Sequence, residues 1–301
     1  MVEQEPPRTF TRLDHVIIAV HDLDAAEAAT SRLLGRGASW HGDHPGAGTA
    51  NVLYRVDRTY LELVAPVAAA RGGGPFGDAL AAHLARHGEG LFGLALGTSD
   101  ASAAAATLHA QGLAPTPPAE GEGRDTRTGA HRTWRNFILP RRDTRGVFLL
   151  GIEHKSSDEA LPLAVAEHPE PSTLVGIDHV VVRSQDPDAS VALWGSRLGV
   201  RLALDRRFEA FDARLVFFRL GGVTIEIAAP LDAVPGEEEG ARDLLYGLSW
   251  KANDVAATHA RLVETGFDVS PMRAGRRAGT SVFTVRSGTL GVPTLVLGPG
   301  A

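Results

Sequence analysis

This 301-residue sequence predicts an α+β protein made of four βαβββ modules in tandem. Three observations predict it. First, Leu13-Asp-His-Val-Ile-Ile-Ala-Val-His-Asp-Leu-Asp24 returns as Ile177-Asp-His-Val-Val-Val-Arg-Ser-Gln-Asp-Pro-Asp188, at an offset of 164 (179 − 15). The offset holds without a gap: Leu34-Gly35 falls on Leu198-Gly199, Arg55 on Arg219, and Tyr60-Leu-Glu-Leu-Val-Ala-Pro66 on Thr224-Ile-Glu-Ile-Ala-Ala-Pro230. Second, a weaker unit follows each copy. Leu91-Phe-Gly-Leu-Ala-Leu-Gly-Thr-Ser-Asp100 resembles Leu245-Tyr-Gly-Leu-Ser-Trp-Lys-Ala-Asn-Asp254, at an offset of 154 (245 − 91). Third, each unit repeats one local order of strand, helix and three strands.

Taken in order, a short apolar run such as His15–Val20 opens a module as a strand. Asp22 or Asp186 then stands at a helix N-cap, where its carboxylate can satisfy free backbone N–H groups. A helix of Ala, Leu and charged residues ends at Leu-Gly, which suits a glycine C-cap. Strand-like runs such as Thr49–Val56 and Thr59–Val64 follow. The modules fall near 10–66, 89–155, 174–230 and 243–299. They make a first domain of residues 10–155 and a second of 174–299, joined by a Pro- and Glu-containing linker, 156–173. Within the halves, Arg71-Gly-Gly-Gly-Pro reads as a break, Phe76–Arg86 as a linking helix and Asp232–Arg242 as a second connector.

Composition narrows the function. A net charge of −6 and a pI of about 6.1 argue against nucleic acid as the main partner. With no cysteine, disulfides, thiolate metal sites and Cys nucleophiles are excluded together, so a metal would need His, Asp, Glu and water. The acidic start Met-Val-Glu-Gln-Glu-Pro-Pro is no signal peptide, and no apolar run approaches a membrane span. The expectation is a cytoplasmic protein, monomer or homodimer, that binds a small molecule. No nucleophile elbow, phosphate-binding loop or dinucleotide fingerprint is present.

The residues that could carry chemistry are duplicated. His15 and Glu62 are 47 apart (62 − 15), as are His179 and Glu226 (226 − 179). Strand alternation puts Tyr60, Glu62 and Val64 on one face and Leu61 and Leu63 on the other. A carboxylate inside a short apolar strand is costly unless paired, hydrogen-bonded or metal-bound. If the first and last strands of a module are neighbours, His and Glu meet across the sheet, a start towards a divalent-metal site. The bland reading is a hydrogen-bonded pair left from a metal-binding ancestor. Glu153, followed by His154 and Lys155, is either a third ligand or a solvated strand end. His41 and His44, in a Gly/Pro-rich stretch, read as exposed loop residues.

Leu-Asp-His-Val, the helix ending in Leu-Gly and the Leu-Glu-Leu-Val-Ala-Pro strand resemble the vicinal oxygen chelate (VOC) superfamily, which includes glyoxalase I, extradiol dioxygenases, methylmalonyl-CoA epimerase and bleomycin-resistance proteins. Gly48-Thr-Ala-Asn51, Gly88-Glu-Gly-Leu91 and Phe148-Leu-Leu-Gly-Ile-Glu153 place the first half nearer the glyoxalase-like group. The resemblance implies modules paired into two half-barrel domains, with metal ligands on first and last strands. Carried over, those ligands are His15, Glu62, Glu153, His179 and Glu226, with Asn51, Tyr60, Trp134 and Asn136 lining the cup. Modules two and four depart from the pattern: Gly93 and Gly247 stand at the first-strand ligand position, and the last strand of module four is apolar near Val296. If sequential modules pair, His15, Glu62 and Glu153 form one set. If pairing is swapped, Glu153 joins His179 and Glu226.

The implied function is a divalent-metal-dependent enzyme (Mn, Mg, Fe, Ni or Zn) of glyoxalase, isomerase or epimerase type, acting on a small oxygenated substrate through a stabilised enolate. Glu62, or its copy Glu226, would shuttle the proton. The alternatives are a non-catalytic binding protein for an aromatic or antibiotic-like ligand and, third, an extradiol-type dioxygenase.

Overall fold

The structure is a computed structural model that describes residues 9–44, 47–67, 74–233 and 243–300. The Gly-rich break at 71–73, most of the 232–242 connector and the first eight residues lie outside the described residues.

Module one runs β1 (Arg12–Ala19), α1 (Leu23–Leu34), β2 (Trp40–His44), β3 (Thr49–Val56) and β4 (Thr59–Pro66). The linking helix α2 (Gly74–His87) leads to module two: β5 (Gly90–Gly97), α3 (Ala101–Ala110), β6 (Ala119–Asp125), β7 (His131–Leu139) and β8 (Phe148–His154). These eight strands close into a barrel in the order β1-β4-β3-β2-β6-β7-β8-β5. Module three is β9 (Leu174–Arg183), α4 (Pro187–Val191, continued by a π-helical turn to Arg197), β10 (Arg201–Phe208), β11 (Ala213–Leu220) and β12 (Val223–Pro230). Module four is β13 (Leu244–Ala252), α5 (Val255–Glu264), β14 (Arg273–Ala274), β15 (Thr280–Val285) and β16 (Thr294–Pro299). Its sheet with module three is open, in the order β10-β11-β12-β9-β13-β16-β15-β14.

Pairing is therefore sequential: β1 meets β5 antiparallel, and β9 meets β13 antiparallel. The first half closes because β2 and β6 pair at Gly42/Asp125 and Asp43/Arg124. The second half stays open between the largely exposed β10 and the two-residue β14.

Local chemistry explains the repeated helix starts. Asp22, Asp100, Asp186 and Asp254 each accept a hydrogen bond from a first-turn N–H, a cap of about 1 kcal/mol. Gly35 ends α1 in the left-handed region (φ 70°).

The period of two then sorts the faces. Leu13, Val16, Ile18, Leu61, Leu63, Leu94 and Leu96 point outward, into a core shared with the helices and the second half. Ile17, Val64, Ala95, Phe148, Leu150 and Ile152 form a separate cluster in the barrel, stoppered at one end by Leu80 and Leu84 of α2. The halves are tied by Arg261 of α5. It donates to Arg32 O, Leu33 O and Ser172 O, satisfying carbonyls that α1 leaves free at its end, and burial lowers its pKa to about 10. The connecting segment 156–173 lies against the barrel: Arg55 donates to Asp158 O and Leu161 O, and Leu161 packs on Trp40, Leu53 and Tyr60. Among the described residues no helix is long and apolar enough to cross a membrane.

Candidate functional site

In the barrel, β1 and β4 run parallel, with His15 opposite Tyr60 and Ile17 opposite Glu62. The pair meets on the diagonal, His15 Nε2 lying 3.3 Å from Glu62 Oε2. A bulge at Asp14, between Leu13 and His15, turns that carboxylate towards the ring, and its Oδ1 lies 2.9 Å from His15 Nδ1. Each imidazole nitrogen thus faces a carboxylate, an arrangement satisfied when both nitrogens carry protons. Burial would push the His15 pKa down, but hydrogen bonds and charge from Asp14 and Glu62 raise it. Burial would push Glu62 up, but His15, then His44 and Asn51, hold it at about 2. Asp14 is likewise held low against its burial by His15 and His154. These hydrogen bonds and charges favour an imidazolium between two carboxylates.

The surrounding residues fix this state. Asn51 Nδ2 donates to Glu62 Oε1 (2.7 Å) and lies 3.4 Å from His44 Nε2, while Asn51 Oδ1 is buried without a partner among the described residues. Tyr60 stacks on His15, ring centroids 4.4 Å apart. Trp134 stands edge-on to His44 at 6.3 Å, inside the barrel, and its bulk is accommodated by Gly121 and Gly123 across β6. Asn136, two residues on, shares that face of β7. His41 and His44, expected in a loop, lie on β2. His41 Nε2 is 2.8 Å from Glu27, and His44 Nδ1 is 3.1 Å from Thr49 Oγ1.

The second copy keeps the geometry and loses the surroundings. His179 Nε2 lies 3.5 Å from Glu226 Oε2, and His179 Nδ1 lies 2.8 Å from Asp178. At the offset of 164, Asn51 becomes Leu215 (51 + 164) and His44 becomes Phe208 (44 + 164). Ser249, opposite His179 on β13, places its hydroxyl 2.7 Å from Nε2. Burial raises the Glu226 pKa, and His179 and Arg276 offset it only in part.

Glu153 does not join either pair. It is on the opposite face of β8 from the barrel interior. There it accepts from the first N–H of α3, Ala101 N (3.0 Å), and pairs with Lys155. Its neighbour His154 is the residue brought to the site, Nε2 lying 3.0 Å from Asp14 Oδ1. The two glycines at ligand positions have no room for a side chain. A Cβ on Gly93 would lie 2.4 Å from the Phe148 ring, and one on Gly247 would lie 2.7 Å from Pro293 O. Opposite His15, module two presents Ala95. Sequence reasoning missed the roles of Asp14 and His154. The repeated Asp-His, with Asp178 as the second copy, was the available signal for the first.

The VOC class characteristically employs a divalent metal. The donor set here does not fit one held by three side chains: module two fills its share of the interior with Ala95, Phe148, Leu150 and Ile152. Among the described residues no three His, Asp or Glu side chains are spaced to hold a metal.

Beside this cluster a cavity of about 340 Å³ opens at the barrel mouth, lined in part by Asp14, Tyr60 and His154.

Four βαβββ modules, sequential pairing and a His–Glu pair on the first and last strands of a module define the VOC class. The sequence matches the model of the glyoxalase-like domain over residues 13–198, and that of the glyoxalase/bleomycin resistance protein/dioxygenase superfamily over 178–284. The chain belongs to the glyoxalase-like family within the VOC superfamily. Among solved structures it is similar to a variant of 4-hydroxymandelate synthase from Streptomyces coelicolor (TM-score 0.65, 16% identity, 97% of this chain and 93% of that one). A hypothetical protein from Staphylococcus aureus is similar too (TM-score 0.63, 14% identity, 95% and 98%). Methylmalonyl-CoA epimerase from Streptomyces coelicolor matches about half the chain (TM-score 0.40, 26% identity, 49% and 99%). The first two likenesses, at under 25% identity, concern the fold alone. No curated protein matches the sequence significantly.

Proposed function

We propose that the first barrel is the working site of a VOC enzyme, and that it moves a proton on a small oxygenated molecule with a glyoxalase-, isomerase- or epimerase-like outcome. The observation that carries this reading is His15, clamped through both nitrogens by Asp14 and Glu62. Such a pair supplies both halves of an enolisation. Glu62, turning from His15 Nε2, accepts the proton leaving carbon, and the N–H it releases donates a hydrogen bond to the oxygen on which charge develops. Return of the proton from Glu62 to the neighbouring carbon of the enolate, on the same face, completes an isomerisation. Asp14 holds the ring and compensates its charge. Asn51 keeps one Glu62 oxygen oriented. Tyr60 and Trp134 line the interior around the pair.

A metal-dependent form would need a third side-chain ligand, which neither Ala95 nor Leu150 supplies, so no step is assigned to a metal. Ring-cleaving oxygenation, which the family carries out with two His and one Glu, meets the same obstacle at Gly247. Non-catalytic binding is the second reading, and one observation favours it: a carboxyl held at about 2 is a weak base.

The test uses protein purified without chelator. Metal content is measured, and carbon-bound proton exchange is followed in D₂O across α-hydroxy acids, α-keto acids and 2-substituted thioesters. Exchange that survives EDTA and falls by about 10²–10⁴ in His15→Ala/Glu62→Ala supports the proposal. Stoichiometric metal whose removal abolishes exchange overturns the metal-free form. Saturable binding without exchange selects the binding protein.

A further inference from the structure

The cavity at the barrel mouth has a second character that the His15/Glu62 pair does not use. Four guanidinium groups line it: Arg12, Arg55, Arg58 and Arg132. Two are already engaged. Arg12 donates to Asp14 Oδ2 through Nε (3.1 Å) and Nη2 (3.0 Å), and Arg55 is spent on the carbonyls of Asp57, Asp158 and Leu161. The other two have no carboxylate partner among the described residues. Arg58 stands at the rim and makes no ion pair among the described residues.

Arg132 is the informative one. It is only 7% exposed, yet no carboxylate among the described residues pairs with it. Its contacts are aromatic: the guanidinium carbon lies 5.6 Å from the Trp40 ring centre and 5.4 Å from that of Tyr60, whose hydroxyl accepts one of its hydrogen bonds. The two aromatic rings flank the guanidinium, and the residue lines the cavity. A guanidinium withdrawn from water without a counter-charge is costly, and the cost is recovered when an anion arrives. An aromatic-clamped Arg with a second Arg at the rim is the arrangement that takes a planar or tetrahedral oxyanion through paired hydrogen bonds.

We propose that this cavity binds the oxyanion end, phosphate or carboxylate, of a small molecule, with Arg132 as the anchor and Arg58 as the outer contact. The volume of about 340 Å³ exceeds what one such group fills, so the anion is the head of a larger ligand. The assignment stands on the arginines and does not depend on proton transfer at His15.

The test is titration calorimetry on the intact chain at low ionic strength, with inorganic phosphate and with malonate as separate probes. Saturable binding of either one supports the site, and the stronger probe identifies the headgroup. Arg132→Gln is expected to weaken binding about tenfold or more, and Arg58→Ala about two- to fivefold. Arg286→Gln, which removes an exposed partner of Asp268 elsewhere, leaves it unchanged. Should Arg132→Gln fail to fold, Arg132→Lys, which keeps the charge and loses the fork, and the exposed Arg58→Ala carry the test. No saturable binding of either anion, or binding indifferent to Arg132 and Arg58 substitution, overturns it.

Discussion

The two His–Glu pairs share a spacing, a parallel strand register and a preceding Asp that fixes the imidazole, and yet their carboxylates are shifted in opposite directions. Burial raises both. In the barrel, His15 and Asn51 bond to Glu62, His44 adds charge, and the balance falls to about 2. In the open sheet, Leu215 and Phe208 stand where Asn51 and His44 would be, and Glu226 stays above its ordinary value. The difference teaches that the motif alone does not define the site. The strands beside it decide whether the carboxylate is held as an anion or pressed towards neutrality.

The largest expected contrast is in stability. Glu62→Gln leaves the buried His15 charge with one partner fewer, and it should cost about 3–5 kcal/mol in urea unfolding at pH 7. Glu226→Gln removes a carboxylate whose charged form is penalised by burial, and should be near neutral or stabilising. Equal costs for the two would erase the contrast.

Acid gives the next effect, and its sign differs between the copies. The Glu62 pKa is depressed, so its contribution to stability is present above the ordinary value of 4.5 and is lost as pH falls towards 2. Glu226 is raised, so its cost is present at neutral pH and is relieved as pH falls through its folded pKa. His15, being raised, contributes below its ordinary 6.5 and loses that contribution as pH rises through its folded value. A series of unfolding curves from pH 7 to pH 3 should therefore steepen downward in the native protein and flatten in Glu62→Gln. An unaltered slope in the variant would assign the acid limb to other carboxyls.

A smaller effect sharpens the cause. Asn51→Leu should raise the Glu62 pKa from about 2, and Leu215→Asn should lower that of Glu226. If exchanging these residues leaves both carboxyls where they were, barrel closure and not the strand neighbour sets the difference.

Much of the fold was legible because the chain repeats itself. The offsets of 164 and 154 and the recurring N-cap Asp marked the modules and the duplicated His and Glu without any tertiary information. Pairing was not legible, since a strand carries no mark of which neighbour it will take. The face of Glu153 was hidden for a physical reason. Phe148-Leu-Leu-Gly-Ile is buried on both sides, so its alternation has no visible phase, and a shift of one residue exchanges Glu153 for His154. His41 and His44 read as loop because Gly and Pro surround them, whereas closure of the barrel through β2 and β6 draws them into a strand. Arg132 carries no signal in the sequence, because its aromatic contacts are assembled from Trp40 and Tyr60, far away in sequence.

The most direct measurement is a ¹³C NMR titration of the glutamate side-chain carboxyls, with Glu62→Gln and Glu226→Gln used to assign the two signals. Glu62 is expected to titrate near 2 and Glu226 above the ordinary 4.5. Two carboxyls titrating together near the ordinary value, or Glu226 titrating below Glu62, would contradict this.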